Sequence, residues 1–262
     1  MERLRYVARA GGADAAVIVS ETVEAVRGLA PGPGELVSVC RNLVERHSTC
    51  GPLWWLCARL LSEPGALAKS WDLADEIADD TTADRLASGL PDDATVLTVG
   101  CPALAARALA RRGDLTVLAV EAGDASNALI RLLDRSDVDA VVVPPESLLA
   151  TMARADLVLV EADACTSSSA VCSIGSGLAA AAAIAAGTPI WMVAGRGRRL
   201  PAAYVDAIAR RVSCRERPWE SEFEIVPITA VAMVAGPDGV VPVAAAALGA
   251  ECPLVPELIA PT

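Results

Sequence analysis

The sequence predicts an α/β protein. An N-terminal helical bundle over residues 1–91 is followed, over residues 92–262, by a Rossmann-like, largely parallel sheet with helices on both faces. Three observations predict it. Before Pro91, apolar residues recur at helical spacing, and Pro-Gly or Gly-Pro pairs separate the segments. After Pro91, short β-branched runs alternate with helical segments of about ten residues, the texture of a parallel sheet. Several of these runs are apolar at nearly every position, which suits strands covered on both faces.

The elements follow in order. Asp14 to Leu29 carries Val17, Ile18, Val23, Val26 and Leu29 at helical spacing, and Pro31-Gly32-Pro33-Gly34 stops it. Glu35 to Arg46 follows, with Leu36, Val39, Cys40, Leu43 and Val44. Gly51-Pro52 opens a third helix, Leu53 to Leu61. Its Trp54-Trp55 pair is expected to face two environments, with one indole at a contact between subunits or between bundle and sheet. Pro64-Gly65 leads into one long helical segment, Ala66 to Leu90. Strands are expected at Thr95–Val99, Leu115–Val120, Val138–Val143, Asp156–Val160 and Ile190–Val193. The helical segments between them are Ala103 to Arg112, Asn127 to Asp134, Ser147 to Ala153 and Leu178 to Ala186. Thr166 to Ser169 reads as a polar excursion.

Composition narrows the function classes. The chain has 262 residues, 53% of them hydrophobic and 21% charged, so it can bury a core and is not a disordered chain. A formal net charge of -11 argues against general nucleic-acid binding, which needs a basic face. The longest apolar stretch, Gly177 to Ile190, is too short and too Ala-rich to span a bilayer. Met1-Glu-Arg-Leu-Arg lacks the apolar core of a signal peptide, so a cytoplasmic protein without a membrane partner is expected. Eight cysteines without a C-x-x-C pair, and a single histidine, His47, argue against a zinc site. No metal and no cofactor are expected. His47 stands near a helix end, where a cation meets the dipole favourably, and is given no catalytic role.

In open parallel sheets, ligands bind beyond the carboxyl ends of the strands. There the sequence offers Gly100-Cys101-Pro102, Glu161-Ala-Asp163, and the basic run Arg196-Gly-Arg198-Arg199. Gly100 permits close backbone approach. Gly175-Ser176-Gly177 precedes a helix whose free N–H groups suit an anion, although short glycine turns before helices are common. Arg196 and Arg198 suit phosphate, against the alternative of a solvated loop. Asp163 fits proton transfer on a sugar, against the alternative of a turn-capping aspartate. Cys101 at a helix start fits an acid or nucleophile, against the alternative of a small turn residue.

The order of motifs resembles the initiation factor 2B alpha/beta/delta subunit family, which includes methylthioribose-1-phosphate and ribose-1,5-bisphosphate isomerases. Asp156-Leu-Val-Leu-Val-Glu-Ala-Asp-Ala164 is similar to the family's D-L-V-L-V-G-A-D. Val171-Cys-Ser-Ile-Gly-Ser176 stands where the family has N-K-I-G-T, and Thr188-Pro-Ile-Trp-Met-Val-Ala194 where it has V-P-V-Y-V-A. Ala94-Thr-Val-Leu-Thr-Val-Gly100 is similar to the family's I-L-T at its first strand, and Pro253-Leu-Val-Pro-Glu-Leu-Ile259 to its closing T-P-P-E-L-I. Arg9-Ala-Gly-Gly-Ala13 is faintly similar to an R-G-A segment. The departures are specific: Gly100 takes the position of the isomerases' cysteine, with Cys101 one residue later. Ser173 and Ser176 replace a Lys and a Thr, and Glu121-Ala-Gly-Asp124 lacks the family's Arg.

The resemblance implies an initiation factor 2B-like protein, non-catalytic or weakly active, with a sugar-phosphate or nucleotide pocket and a homodimeric state. The alternative it implies is an aldose–ketose isomerase acting on a phosphorylated pentose. Asp163 would then be the acid/base and Cys101 its displaced partner. A third reading is an assembly module with a closed pocket. The ligand residues implied are Gly100, Gly175, Ser176, Gly177, Arg196 and Arg198.

Overall fold

The computed structural model describes residues 14–213 and 216–260. The Arg9–Ala13 segment and Cys214 lie outside these residues. Helix α1 spans Ala15–Leu29, capped by Asp14, whose Oδ1 accepts from the Ala16 N–H at 3.1 Å. It ends where Ala30 turns left-handed, at φ 44°. Helix α2, Pro33–Arg46, begins with proline, whose missing N–H costs nothing in a first turn.

Helix α3, Gly51–Ser62, is the centre of the helical region and has almost no solvent face. Trp54 and Trp55, expected to face different environments, share one core at 0% and 2% exposure. Helices, the β4–β5 hairpin and the C-terminal segment pack around α3, so it carries apolar residues all round. Each indole still finds an acceptor: Trp54 Nε1 donates to the Ser48 carbonyl at 2.9 Å, and Trp55 Nε1 to the Glu251 carbonyl at 3.2 Å.

The long helix expected over Ala66–Leu90 is two helices, α4 (Ser70–Ala78) and α5 (Thr82–Gly89). Asp80 divides them. Its Oδ1 accepts from the Thr82 N–H at 2.9 Å and the Thr82 hydroxyl at 2.6 Å, a local bond that competes with helix continuation. The two helices then part company. Leu73 and Ile77 of α4 join the helical core, whereas Ala83, Leu86 and Ala87 of α5 pack with the sheet.

The sheet is built from β1 (Thr95–Val99), β2 (Thr116–Val120), β3 (Asp139–Val143), β4 (Leu157–Cys165), β6 (Ile190–Val193), β8 (Met233–Gly236) and β9 (Gly239–Pro242), in the order β3-β2-β1-β4-β6-β8-β9. All neighbours are parallel except β8 and β9. Helices α6 (Ala103–Leu109), α7 (Asp124–Asp134), α8 (Leu148–Thr151) and α9 (Ser176–Ala186) connect strands and flank the sheet. The five strands expected all belong to it. Val141–Val143 does not lie in a fully covered strand, however: β3 is at the edge of the sheet, and Val141 is half exposed.

The polar excursion after the fourth expected strand is a hairpin. Strand β4 runs on to Cys165, turns through Thr166 to Ser168, and returns as β5 (Ser169–Ser173), which pairs with β7 (Phe223–Pro227). The Thr166 hydroxyl holds the turn by accepting from the Ser168 and Ser169 N–H groups at 3.0 and 3.1 Å. Beyond Arg199 the sequence reading defined no element, yet the structure has α10 (Ala202–Ser213) and strands β7–β9. Tyr204 and Ile208 of α10 extend the helical core, and Val255 and Leu258 of the C-terminal segment close it. Among the described residues, no helix is long and apolar enough to cross a membrane.

Candidate functional site

The strand order reverses direction at β1 and β4, the topological switch point where open α/β sheets leave a crevice. A cavity of about 530 Å³ lies there. Cys101, Glu161, Asp163 and Ser173 line it from the ends of the sheet strands and the hairpin, Glu45 and Arg46 from the last turn of α2, and His47 and Cys50 from the connection to α3. Arg211 closes it from the end of α10. Its size is that of a small-molecule site.

Asp163 stands at a register shift. Ala162 pairs with Cys172 and Ala164 with Val171, so Asp163 is the extra residue of a β-bulge. Bulges re-aim side chains, and this one stands where β4 leaves the main sheet for the hairpin. The Asp163 carboxylate makes no hydrogen bond with any described residue. Burial pushes its pKa up to about 7 from 3.8; the Arg198 charge opposes the rise and the Glu161 charge adds to it.

The backbone of Asp163 is held from the other side. A Cβ on Gly51 would lie 2.3 Å from the Asp163 carbonyl oxygen and 3.2 Å from the Arg198 Cα. Only glycine lets the start of α3 come this close, so the helical region seals one side of the cavity.

Glu161 is the residue that sequence reasoning missed. It is 9% exposed and fully engaged. One oxygen accepts from the Leu104 and Ala105 N–H groups in the first turn of α6, at 2.8 and 2.9 Å. The other accepts from Arg198 Nη1 at 2.8 Å. The signal was present: an acid inside an otherwise apolar strand, where the resembled family has glycine.

The expected phosphate grip does not assemble. Arg198 lines the cavity, but its guanidinium is 5% exposed and bound to Glu161 and to the Ala162 carbonyl. The Arg196 N–H donates to Asp80 Oδ2 at 2.9 Å, and Arg199 pairs with Glu251 at 2.8 Å. Two of the three guanidiniums, those of Arg198 and Arg199, are therefore spent on internal acids, and Arg196, held only through its backbone N–H, does not line the cavity. At the start of α9, the Gly177 N–H donates to Glu224 Oε1 at 2.7 Å, and Ser176 is buried. A carboxylate of the protein thus stands where an external anion was expected. Gly100 has the positive φ of 65° that a tight strand-to-helix turn requires, and its neighbour Cys101 reaches the cavity.

Cys101 is exposed, but partial burial and the Glu161 charge raise its pKa, so it is a thiol rather than a thiolate. His47 is the C-cap of α2, as its place near a helix end predicted, and burial and the adjacent Arg46 charge lower its pKa. Cys165 and Cys172 are buried free thiols. Among the described residues, no group of three or more His, Cys, Asp or Glu is placed to hold a metal.

No family model matches the sequence, and no curated protein matches it. Solved structures match the fold over most of the chain. A translation initiation factor eIF-2B from Pyrococcus horikoshii OT3 is 15% identical, with a TM-score of 0.75 over 92% of this chain and 95% of its own. The eIF2B delta of Chaetomium thermophilum is 17% identical, with a TM-score of 0.70 over 89% and 94%. A chain of the tetrameric eIF2B-beta2-delta2 complex of C. thermophilum is 14% identical, with a TM-score of 0.72 over 93% and 90%. The chain has the fold of these eIF2B subunits.

Proposed function

We propose that this is a cytoplasmic initiation factor 2B-like protein that binds a phosphorylated sugar or nucleotide, with little or no catalysis. One observation carries the reading: a cavity at the switch point, with the Asp163 carboxylate lining it without a hydrogen-bond partner among the described residues. A carboxylate without protein partners is suited to accept hydrogen bonds from ligand hydroxyls, and its desolvation strengthens them. Thermal shift and calorimetry with ribose phosphates and nucleoside monophosphates test it. Stabilisation of the folded protein is expected. Absence of binding to every such compound would discard the reading.

A second reading is favoured by Cys101 and Asp163 lining the same cavity. An aldose–ketose isomerase needs a base to take a proton from the carbon beside a carbonyl, and an acid to serve the oxygen. A carboxyl titrating near neutrality and a thiol match those roles. Interconversion of a phosphorylated pentose, followed by NMR, separates this reading from simple binding.

A homodimer is part of the proposal. Helix α9 has no charged residue, and Leu178 and Ile184 stand 53% and 63% exposed on it, with Leu149 of α8 63% exposed nearby. A second copy covering that face would remove them from water.

A further inference from the structure

We infer that Glu161 sets the direction in which the cavity takes its ligand: the phosphate goes to the helical wall at Arg46 and Arg211, and the sugar lies over Asp163. This rests on the binding reading above. The sheet wall already holds an internal anion. Glu161 takes two N–H groups of α6 and the Arg198 guanidinium, so the donors that would meet a phosphate there are occupied. Asp163 adds a second carboxylate on the same strand. A phosphate dianion entering this wall meets two carboxylates at low dielectric, opposed only by a guanidinium already neutralised.

The helical wall is the converse. Arg46, in the last turn of α2, lines the cavity, and no described residue pairs with it. Arg211 reaches the same end of α2 from α10. One of its nitrogens donates to the Val44 carbonyl at 3.2 Å, and the guanidinium lies 5.6 Å over the Trp54 ring. That stacking orients the fork and leaves its other donors for a ligand. His47 adds a half-buried ring beside them. The acids nearby, Glu45 and Glu222, are both exposed to water, where their charges are screened. Arg46 and Arg211 are thus the cavity's cations with unspent donors, and the ligand class is a polyol bearing one terminal phosphate.

Calorimetry with ribose 5-phosphate and with ribose tests this on the wild type and on Arg46→Gln, Arg46→Gln/Arg211→Gln and Glu161→Gln, each first shown to melt cooperatively. The wild type should bind ribose 5-phosphate more tightly than ribose. Arg46→Gln should weaken ribose 5-phosphate at least about tenfold, the double variant further, and neither should change ribose binding. Glu161→Gln should bind ribose 5-phosphate as tightly as the wild type or more so. Arg46 is exposed and unpaired, so its variant is informative even if Glu161→Gln fails to fold. Unchanged phosphate affinity in Arg46→Gln and the double variant, beside a wild type that binds, would overturn the inference and leave the binding reading standing. A wild type that binds neither compound would overturn both.

Discussion

The Glu161 carboxylate and the Arg198 guanidinium meet at 2.8 Å with side-chain exposures of 7% and 6%, bridging the end of β4 to the loop after β6. An ion pair this buried gains little net stability while intact, because both charges were desolvated to form it. Its cost appears when one partner is removed. Arg198→Met should therefore destabilise the protein by about 3–5 kcal/mol in urea unfolding. The double variant Glu161→Gln/Arg198→Met, which removes both charges and keeps an acceptor for the Leu104 and Ala105 N–H groups, should recover most of that loss. If the single and double variants lose the same amount, the pair is not what the Arg198 substitution breaks.

Asp163 makes stability depend on pH in the direction opposite to a salt-bridged acid. Its pKa rises from 3.8 to about 7 on folding, so the folded chain holds the proton that the unfolded chain releases. The favourable contribution is complete below about pH 4 and is lost as pH rises towards about 7. Asp163→Asn should raise the melting temperature at about pH 8, and the gain should shrink steadily on acidification to about pH 5. A gain independent of pH would show that Asp163 is not the titrating group.

Gly51→Ala should damage fold and cavity together. The new Cβ would sit 2.3 Å from the Asp163 carbonyl oxygen, a contact between two backbones that no rotamer relieves. Overpacking of this kind costs about 1–3 kcal/mol or more. Denaturant unfolding should show that loss, and ribose 5-phosphate binding should weaken with it. Gly249→Ala, outside any helix or strand and with nothing within 4 Å of a new Cβ, should leave both nearly unchanged.

The α9 face predicts the oligomeric state. Sedimentation should show a dimer at micromolar concentration, and Leu178→Glu/Ile184→Glu should shift it to monomer without lowering the monomer's own stability, since both side chains are exposed in the single chain. A wild type that sediments as a monomer at high micromolar concentration would remove the dimer from the proposal.

The sequence by itself determined the alternation of helices and strands around β1, β2, β4 and β6, because their β-branched runs are bounded by Gly, Pro or Asp within a few residues. It also placed Asp163 and Cys101 just beyond the apolar runs of β4 and β1, which needs only local order along the chain, although β4 itself continues past Asp163 to Cys165. What it left open depends on partners distant in sequence. β7 and β9 are short and each ends in a proline, and their strand character comes from pairing with β5 and β8. The enclosure of both Trp54 and Trp55 required knowing that α10 and the C-terminal segment close around α3.

The tertiary structure alone decided what the arginines do. Arg196, Arg198 and Arg199 read as a phosphate-binding run because their neighbours in sequence hold no acids. In space Glu161 and Glu251 arrive from 37 and 52 residues away and take the Arg198 and Arg199 guanidiniums, while Asp80, 116 residues away, holds only the backbone N–H of Arg196. A charge acts through distance in space, not along the chain, and burial multiplies the effect by lowering the dielectric. The cavity residues that keep uncommitted groups, Asp163, Arg46 and Arg211, are therefore visible only in the folded chain.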